Sequence, residues 1–331
     1  MPSLSELNFT KKNFPLGHIY RFFIILIALA YGWVLAALPL EAFKDRANYL
    51  VYVDQSFLIF LGYWSRGLLT GLTNEPVWLL LNVGLNLVFE PEITLRIIIG
   101  APASIVAYLV LRVNPKIFFW LLFFLFLPQV LKNHVVHLRQ GVAVSFFLIG
   151  WFSHWRITRW FFFLLTPFLH ASFFFILALL LLANLSQKLR FSPGLRNILF
   201  VIFGLTISIS LAGIARFLGA RQAVEYDFGA GDISGLGFVF WLIVLFWLIA
   251  QGRSFLRQHT FAVGILCFYL STYFFVEVTA RIFESALIIL LLACMHMTGW
   301  RRQMFGVTIV SYCFIIYVLR FNQPWLGFGI V

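Results

Sequence analysis

The chain has 331 residues, 62% of them hydrophobic and only 11% charged, with a formal net charge of +12. Soluble domains carry roughly a quarter charged residues, so this composition excludes a soluble globular protein. In a soluble chain the positive balance would suggest nucleic acid. Here most Lys and Arg fall in short connections between apolar runs, where they set membrane topology instead.

Several runs approach or exceed the ~20 residues that a helix needs to cross hydrocarbon. The fold expected is all-α: a polytopic integral membrane protein of about ten to twelve transmembrane or half-membrane helices. It reads as a single membrane-embedded domain over residues 1–331, with no internal repeat. Residues 1–18 form a polar tail with Lys11 and Lys12, and no Ala-x-Ala cleavage site follows the first run. A cleaved signal peptide is therefore not expected.

The first span covers 19–40 and ends at Pro39. Residues 41–75 are a long extramembrane connection carrying Asp45, Arg46, Tyr49, Asp54, Arg66 and Glu75. Within it, 49–61 is apolar but interrupted by Asp54 and Gln55, which suits an amphipathic helix at the interface. The run 76–89 is short and breaks at Glu90-Pro91-Glu92; with the basic connections cytoplasmic, either it is re-entrant or the N-terminus lies outside. Runs at 93–111, 117–131 and 141–155 follow, then 160–182, interrupted at Thr166-Pro167 and His170-Ala171-Ser172. After 198–217 comes a second polar loop, 218–235, with Arg221, Glu225, Asp227 and Asp232. Runs at 236–250, 260–276, 282–297 and 305–319 complete the chain. Cys267, Cys294 and Cys313 lie inside apolar runs without metal-ligand spacing, as inert core residues do.

Taking the basic connections 112–116, 156–159, 188–196, 253–257 and 301–302 as cytoplasmic places Arg139, the 218–235 loop and the 277–281 turn on the opposite side. That side needs no arginine for topology. Arg139, with His134 and His137 ahead of it, is either an interfacial anchor or part of a site for an anion, because the guanidinium fork matches phosphate oxygens. His170 sits inside a Phe/Leu-rich run just after a proline. It is either a general base, with its pKa near working pH, or a packed histidine bonded to backbone that Pro167 frees. Glu277, Arg281 and Glu284 share one helix face by spacing, as an ion-pair ladder or as an arginine shared with phosphate. Each charged residue of the first loop is more simply solvated. No HExxH, Asp-rich metal motif, P-loop or GxSxG occurs, so no metal or other cofactor is expected.

Taken in order, Asp45-x-x-x-Tyr49, Glu75-Pro76, Arg139-Gln140-Gly141-x-Ala143, His170-x-Ser172 and Arg281 resemble the EpsG-like, Wzy-type family of exopolysaccharide and O-antigen polymerases. The resemblance spans roughly 40–290, and Arg139 to Gly150 also fits an Arg-x10-Gly pattern of some members. It implies a GT-C-like, metal-independent glycosyltransferase of the bacterial inner membrane, multi-pass, with its site facing the periplasm or cell exterior. Its substrate would be undecaprenyl-diphosphate-linked oligosaccharide, its surroundings membrane lipids, and its partner a polysaccharide chain-length regulator. The resemblance implies His170, Arg139 and Arg281 as catalytic residues. Arg66, Arg221, Asp45, Tyr49, Glu75, Gln140 and Glu277 would bind substrate, with Glu75, Asp45 or Glu277 as other bases. The loop Lys44-Asp45-Arg46 is more basic than the family's usual acidic-aromatic start. Three other readings stay open: O-antigen ligase, integral membrane sugar O-acyltransferase, and lipid-linked oligosaccharide flippase. A ligase carries a larger late loop, the acyltransferase an early Arg-Gly-rich motif with paired histidine, and the flippase two pseudo-symmetric halves.

Overall fold

The computed structural model describes residues 17–217, 235–276 and 278–330. Regular structure among them is helical; the one strand-like feature is an isolated antiparallel bridge between Phe43 and Gly329. In chain order the α-helices are α1 (His18–Ala37), α2 (Arg46–Ser65), α3 (Leu68–Thr73), α4 (Pro76–Asn86) and α5 (Pro91–Leu111). Then come α6 (Phe118–Leu125), α7 (Pro128–Val135), α8 (Leu138–Phe152), α9 (Arg156–Leu165), α10 (Ser172–Lys188) and α11 (Pro193–Phe217). The last are α12 (Leu236–Ile249), α13 (Arg253–Gln258), α14 (Thr260–Thr272), α15 (Val278–Met295) and α16 (Trp300–Leu319).

Among the described residues, four helices are long and apolar enough to cross a membrane: α1, α5, the Pro193–Leu211 part of α11, and α16. The stretch Pro115–Leu125 and α7 together pass as one span bent by 63°. The bend follows from Pro128 at the start of α7. Leu127 ahead of it is extended, at φ −61° and ψ 135°, the conformation a proline imposes on its predecessor. Five further apolar helices among the described residues, α4, α8, α10, α12 and α14, are 10–17 residues long. The chain is an all-α polytopic membrane protein. The short 76–89 run becomes α4, whose 11 residues span about 16 Å, too little to cross ~30 Å of hydrocarbon.

The described residues fall into two compact units, 17–173 with 317–330, and 174–316. In the first, α1 and α5 meet backbone to backbone. A Cβ on Gly32 would lie 2.0 Å from Ser104 Oγ and 2.3 Å from the Gly100 carbonyl, so only glycine permits this approach. The Tyr31 hydroxyl donates to the Leu125 carbonyl at 2.9 Å, tying α1 to α6. Helix α2 is longer than the amphipathic segment expected. It buries one stripe, Arg46, Tyr49, Val53 and Ser56, at helical spacing, and leaves Asp54 and Gln55 exposed.

In the second unit α11 and α14 pack through Gly264, where a Cβ would meet Phe200 at 2.3 Å. Arg196 is 6% exposed and donates to the Phe191 carbonyl at 3.0 Å and to Thr260 Oγ1 at 2.9 Å. Stacked rings join α12 to α16 (Phe240 on Tyr312, 3.8 Å) and α14 to α15 (Tyr269 on Phe283, 4.2 Å).

Candidate functional site

Three breaks between helices of the first unit bring polar side chains together. The first is Glu75. A residue before proline is steered to extended backbone, yet Glu75 stands left-handed at φ 58° and ψ 52°. For a residue other than glycine this conformation costs about 1 kcal/mol or more. It turns the carboxyl inward, leaving the residue 3% exposed.

The second break lies between α7 and α8. His137 leaves helical geometry at φ −92° and ψ 64°, and the chain folds back so tightly that Gly141 faces α7. A Cβ there would lie 2.2 Å from the Asn133 carbonyl and 3.0 Å from His134 Nδ1. This is the physical content of the Arg139-Gln140-Gly141 element: glycine permits the contact, and the contact fixes where Arg139 leaves the first turn of α8. The third break follows Thr166–Phe168, a single 3₁₀ turn that Pro167 favours. The Thr166 carbonyl accepts from the backbone N–H of both Leu169 and His170 at 3.0 Å. That holds His170 in the open turn before α10.

At the meeting point, Arg139 Nη1 donates to Glu75 Oε2 at 2.5 Å. His170 Nδ1 lies 2.8 Å from Glu75 Oε1, which also accepts the Ala171 backbone N–H at 3.3 Å. The Arg139 guanidinium lies 5.8 Å from the Tyr49 ring and 5.6 Å from the Tyr52 ring. Trp78, fully buried, packs edge-on against Tyr49 at 5.9 Å. The side chains of Arg139 and His170 keep 18% and 12% of their surface exposed, against 4% for Glu75. The carboxylate is the floor of the cluster, and the two nitrogen bases are its reachable side.

Burial by itself would raise the Glu75 carboxyl pKa. The charge of Arg139, the His170 contact and the Ala171 N–H outweigh it and hold the carboxyl well below the usual carboxylate range. An ionised carboxylate only accepts hydrogen bonds, so Nδ1 of His170 carries a proton towards Glu75. In neutral His170 the lone pair is then on Nε2. With Arg139 charged, Glu75 ionised and His170 neutral, the cluster carries no net charge. A proton taken up by His170 would leave it with one positive charge.

Of the residues singled out in the sequence, Tyr49, Glu75, Arg139 and His170 meet here. Glu75 is not suited to be the base, because a carboxyl held so low accepts a proton poorly. Asp45 is exposed and makes no capping bond, although it too is left-handed at φ 64°. Its neighbour Arg46, the first residue of α2, is buried. Arg66 is exposed, 6.0 Å from the Tyr63 ring of its own helix. Gln140 is 1% exposed, inside the packing rather than on the open side. His134 is 2% exposed beside Gly141. Arg281 lies on α15 in the second unit, half-buried, with its carbonyl accepting from Ser285 Oγ at 2.8 Å. Glu277 and Arg221 lie outside the described residues. Tyr52 was missed; its signal was the three-residue spacing from Tyr49, which puts both rings on one helix face. No family model, no curated protein and no solved structure matches the chain.

Proposed function

We propose that the protein is a glycosyltransferase that polymerises polyprenyl-diphosphate-linked oligosaccharide units into a surface polysaccharide, with its site on the outer face of the bacterial inner membrane. The observation that carries this reading is the joining of Glu75, Arg139 and His170, drawn from three distant segments, in one part-buried cluster with Tyr49 and Tyr52 beside it. Glu75-Pro76, Arg139-Gln140-Gly141 and His170 are also among the elements on which the resemblance to the Wzy-type polymerases rests.

In this reaction a sugar hydroxyl of one lipid-linked unit attacks the anomeric carbon of another. The bond from that carbon to the diphosphate oxygen breaks, and its electron pair leaves with the polyprenyl diphosphate. Arg139 faces the leaving diphosphate and offsets the charge gathering on it. His170 Nε2 takes the proton of the attacking hydroxyl, while Glu75 holds the opposite side of the ring. The cluster gains its positive charge as His170 is protonated, at the moment when the leaving group becomes more negative.

The test is deletion in the native host, followed by length separation of the surface polysaccharide. Core carrying a single repeat unit supports polymerase function. Free lipid-linked polymer would assign a ligase instead, and unchanged length with lost acetyl groups an acyltransferase. Lipid-linked single units confined to the inner leaflet would assign a flippase. Full-length polymer from a strain complemented with Arg139→Ala would overturn the site.

A further inference from the structure

The geometry points to Glu75 as a built-in counter-anion: the Arg139–Glu75 ion pair and a bound diphosphate are antagonistic occupants of the same guanidinium. The proposal rests on the polymerase reading only for the identity of the anion. Glu75 Oε2 takes Arg139 Nη1, while Oε1 takes His170 Nδ1 and the Ala171 N–H. That is the donor set an external phosphate would use, an arginine fork, an imidazole and a backbone amide, and the chain's own carboxylate already fills it. The backbone is held left-handed against the preference of a residue before proline to place it there. The carboxylate lies beneath, at 4% side-chain exposure, while Arg139 remains reachable at 18%. An anion arriving from the open side must therefore share Arg139 with a carboxylate that cannot leave for solvent. A site of this kind grips a diphosphate weakly and lets the spent polyprenyl diphosphate go.

This assignment predicts a sign. If Glu75 only scaffolds the cluster, removing its charge weakens anion binding; if it competes, removal strengthens it. The full-length protein in zwitterionic nanodiscs is titrated with inorganic pyrophosphate by calorimetry, as wild type, Glu75→Gln, Glu75→Asp and Arg139→Gln. Glu75→Gln should bind roughly tenfold more tightly than wild type, and Arg139→Gln should lose binding. Glu75→Asp, which draws the carboxylate back by one methylene, should fall between wild type and Glu75→Gln. If Glu75→Gln does not yield a monodisperse helical protein, Glu75→Asp alone decides. Equal or weaker binding by whichever variant folds overturns the proposal, as does pyrophosphate binding that survives Arg139→Gln. Tighter binding by Glu75→Gln alongside unaltered polysaccharide length in the deletion strain keeps the antagonism and removes the polymerase.

Discussion

The first unit uses two of its arginines, Arg46 and Arg139, differently. Arg46 is fully buried at the start of α2. It donates from Nε to the Val135 carbonyl at 3.1 Å and from Nη1 to the Leu38 and Pro39 carbonyls at 3.5 and 3.4 Å, over the Phe43 ring at 4.3 Å. Those carbonyls lie where α1 and α7 end, and helix ends leave such groups without helical partners. Arg46 is thus a staple between two helix ends, spent on neutral acceptors it cannot release without orphaning them. Arg139 is paired with a charge, stays part-exposed and faces aromatic rings. Burial of a cation therefore says little about its role; the nature of its partner and its access to the outside say more.

The largest effect that would sharpen this contrast follows from the proposed polymerase function. Arg139→Lys keeps the charge but loses the fork, so polymer formation in a complemented strain should fall about a hundredfold or more. Its unfolding midpoint in detergent should stay close to wild type. Arg46→Ala should do the reverse, costing about 3 kcal/mol through a cavity and three unpaired carbonyls, measured by chemical denaturation. If Arg46→Ala were stable and inactive, the division between staple and site would be wrong.

Gly141→Ala comes next. Its Cβ would press on the Asn133 carbonyl, at a cost of about 1–3 kcal/mol, and should displace Arg139, so lost activity should accompany the lost stability. The acid limb of stability gives a smaller effect. The Glu75 carboxyl is depressed in the folded state, so its contribution is fully present above the unfolded value of about 4.3. It is lost as pH falls through the lower folded value. Unfolding midpoints measured downwards from about pH 5 should drop in wild type and flatten in Glu75→Gln. The smallest expected effect is at Asp45, where glycine relieves a left-handed backbone without removing a contact. Asp45→Gly should gain up to about 0.5 kcal/mol, and a large loss would return Asp45 to the site.

Helix identity was readable because apolar runs and prolines act locally: Pro39 and Pro91 stand where spans end or begin, whereas Pro128, inside the expected run 117–131, bends it. Arg139 stood out for a similar reason, as a cation at a break between two apolar runs. The partner itself was hidden. A residue before proline is expected to be extended, and only tertiary packing turns Glu75 against that rule. The exchange of Asp45 for Arg46 has the same origin. Neighbours on a helix point about 100° apart, and which of the two faces inward depends on where α2 begins, one residue that composition does not fix. Gly141 carried a signal as part of a motif, but its reason, a backbone 2.2 Å from a Cβ that is not there, exists only in the folded chain.

That missing Cβ also limits movement. With α7 and α8 in contact at Gly141 and Asn133, the start of α8 cannot slide along α7 without lifting a turn out of its notch. The root of Arg139 has no degree of freedom of its own. What remains to the guanidinium is torsion about its side-chain bonds, a swing between the carboxylate below and the open side above.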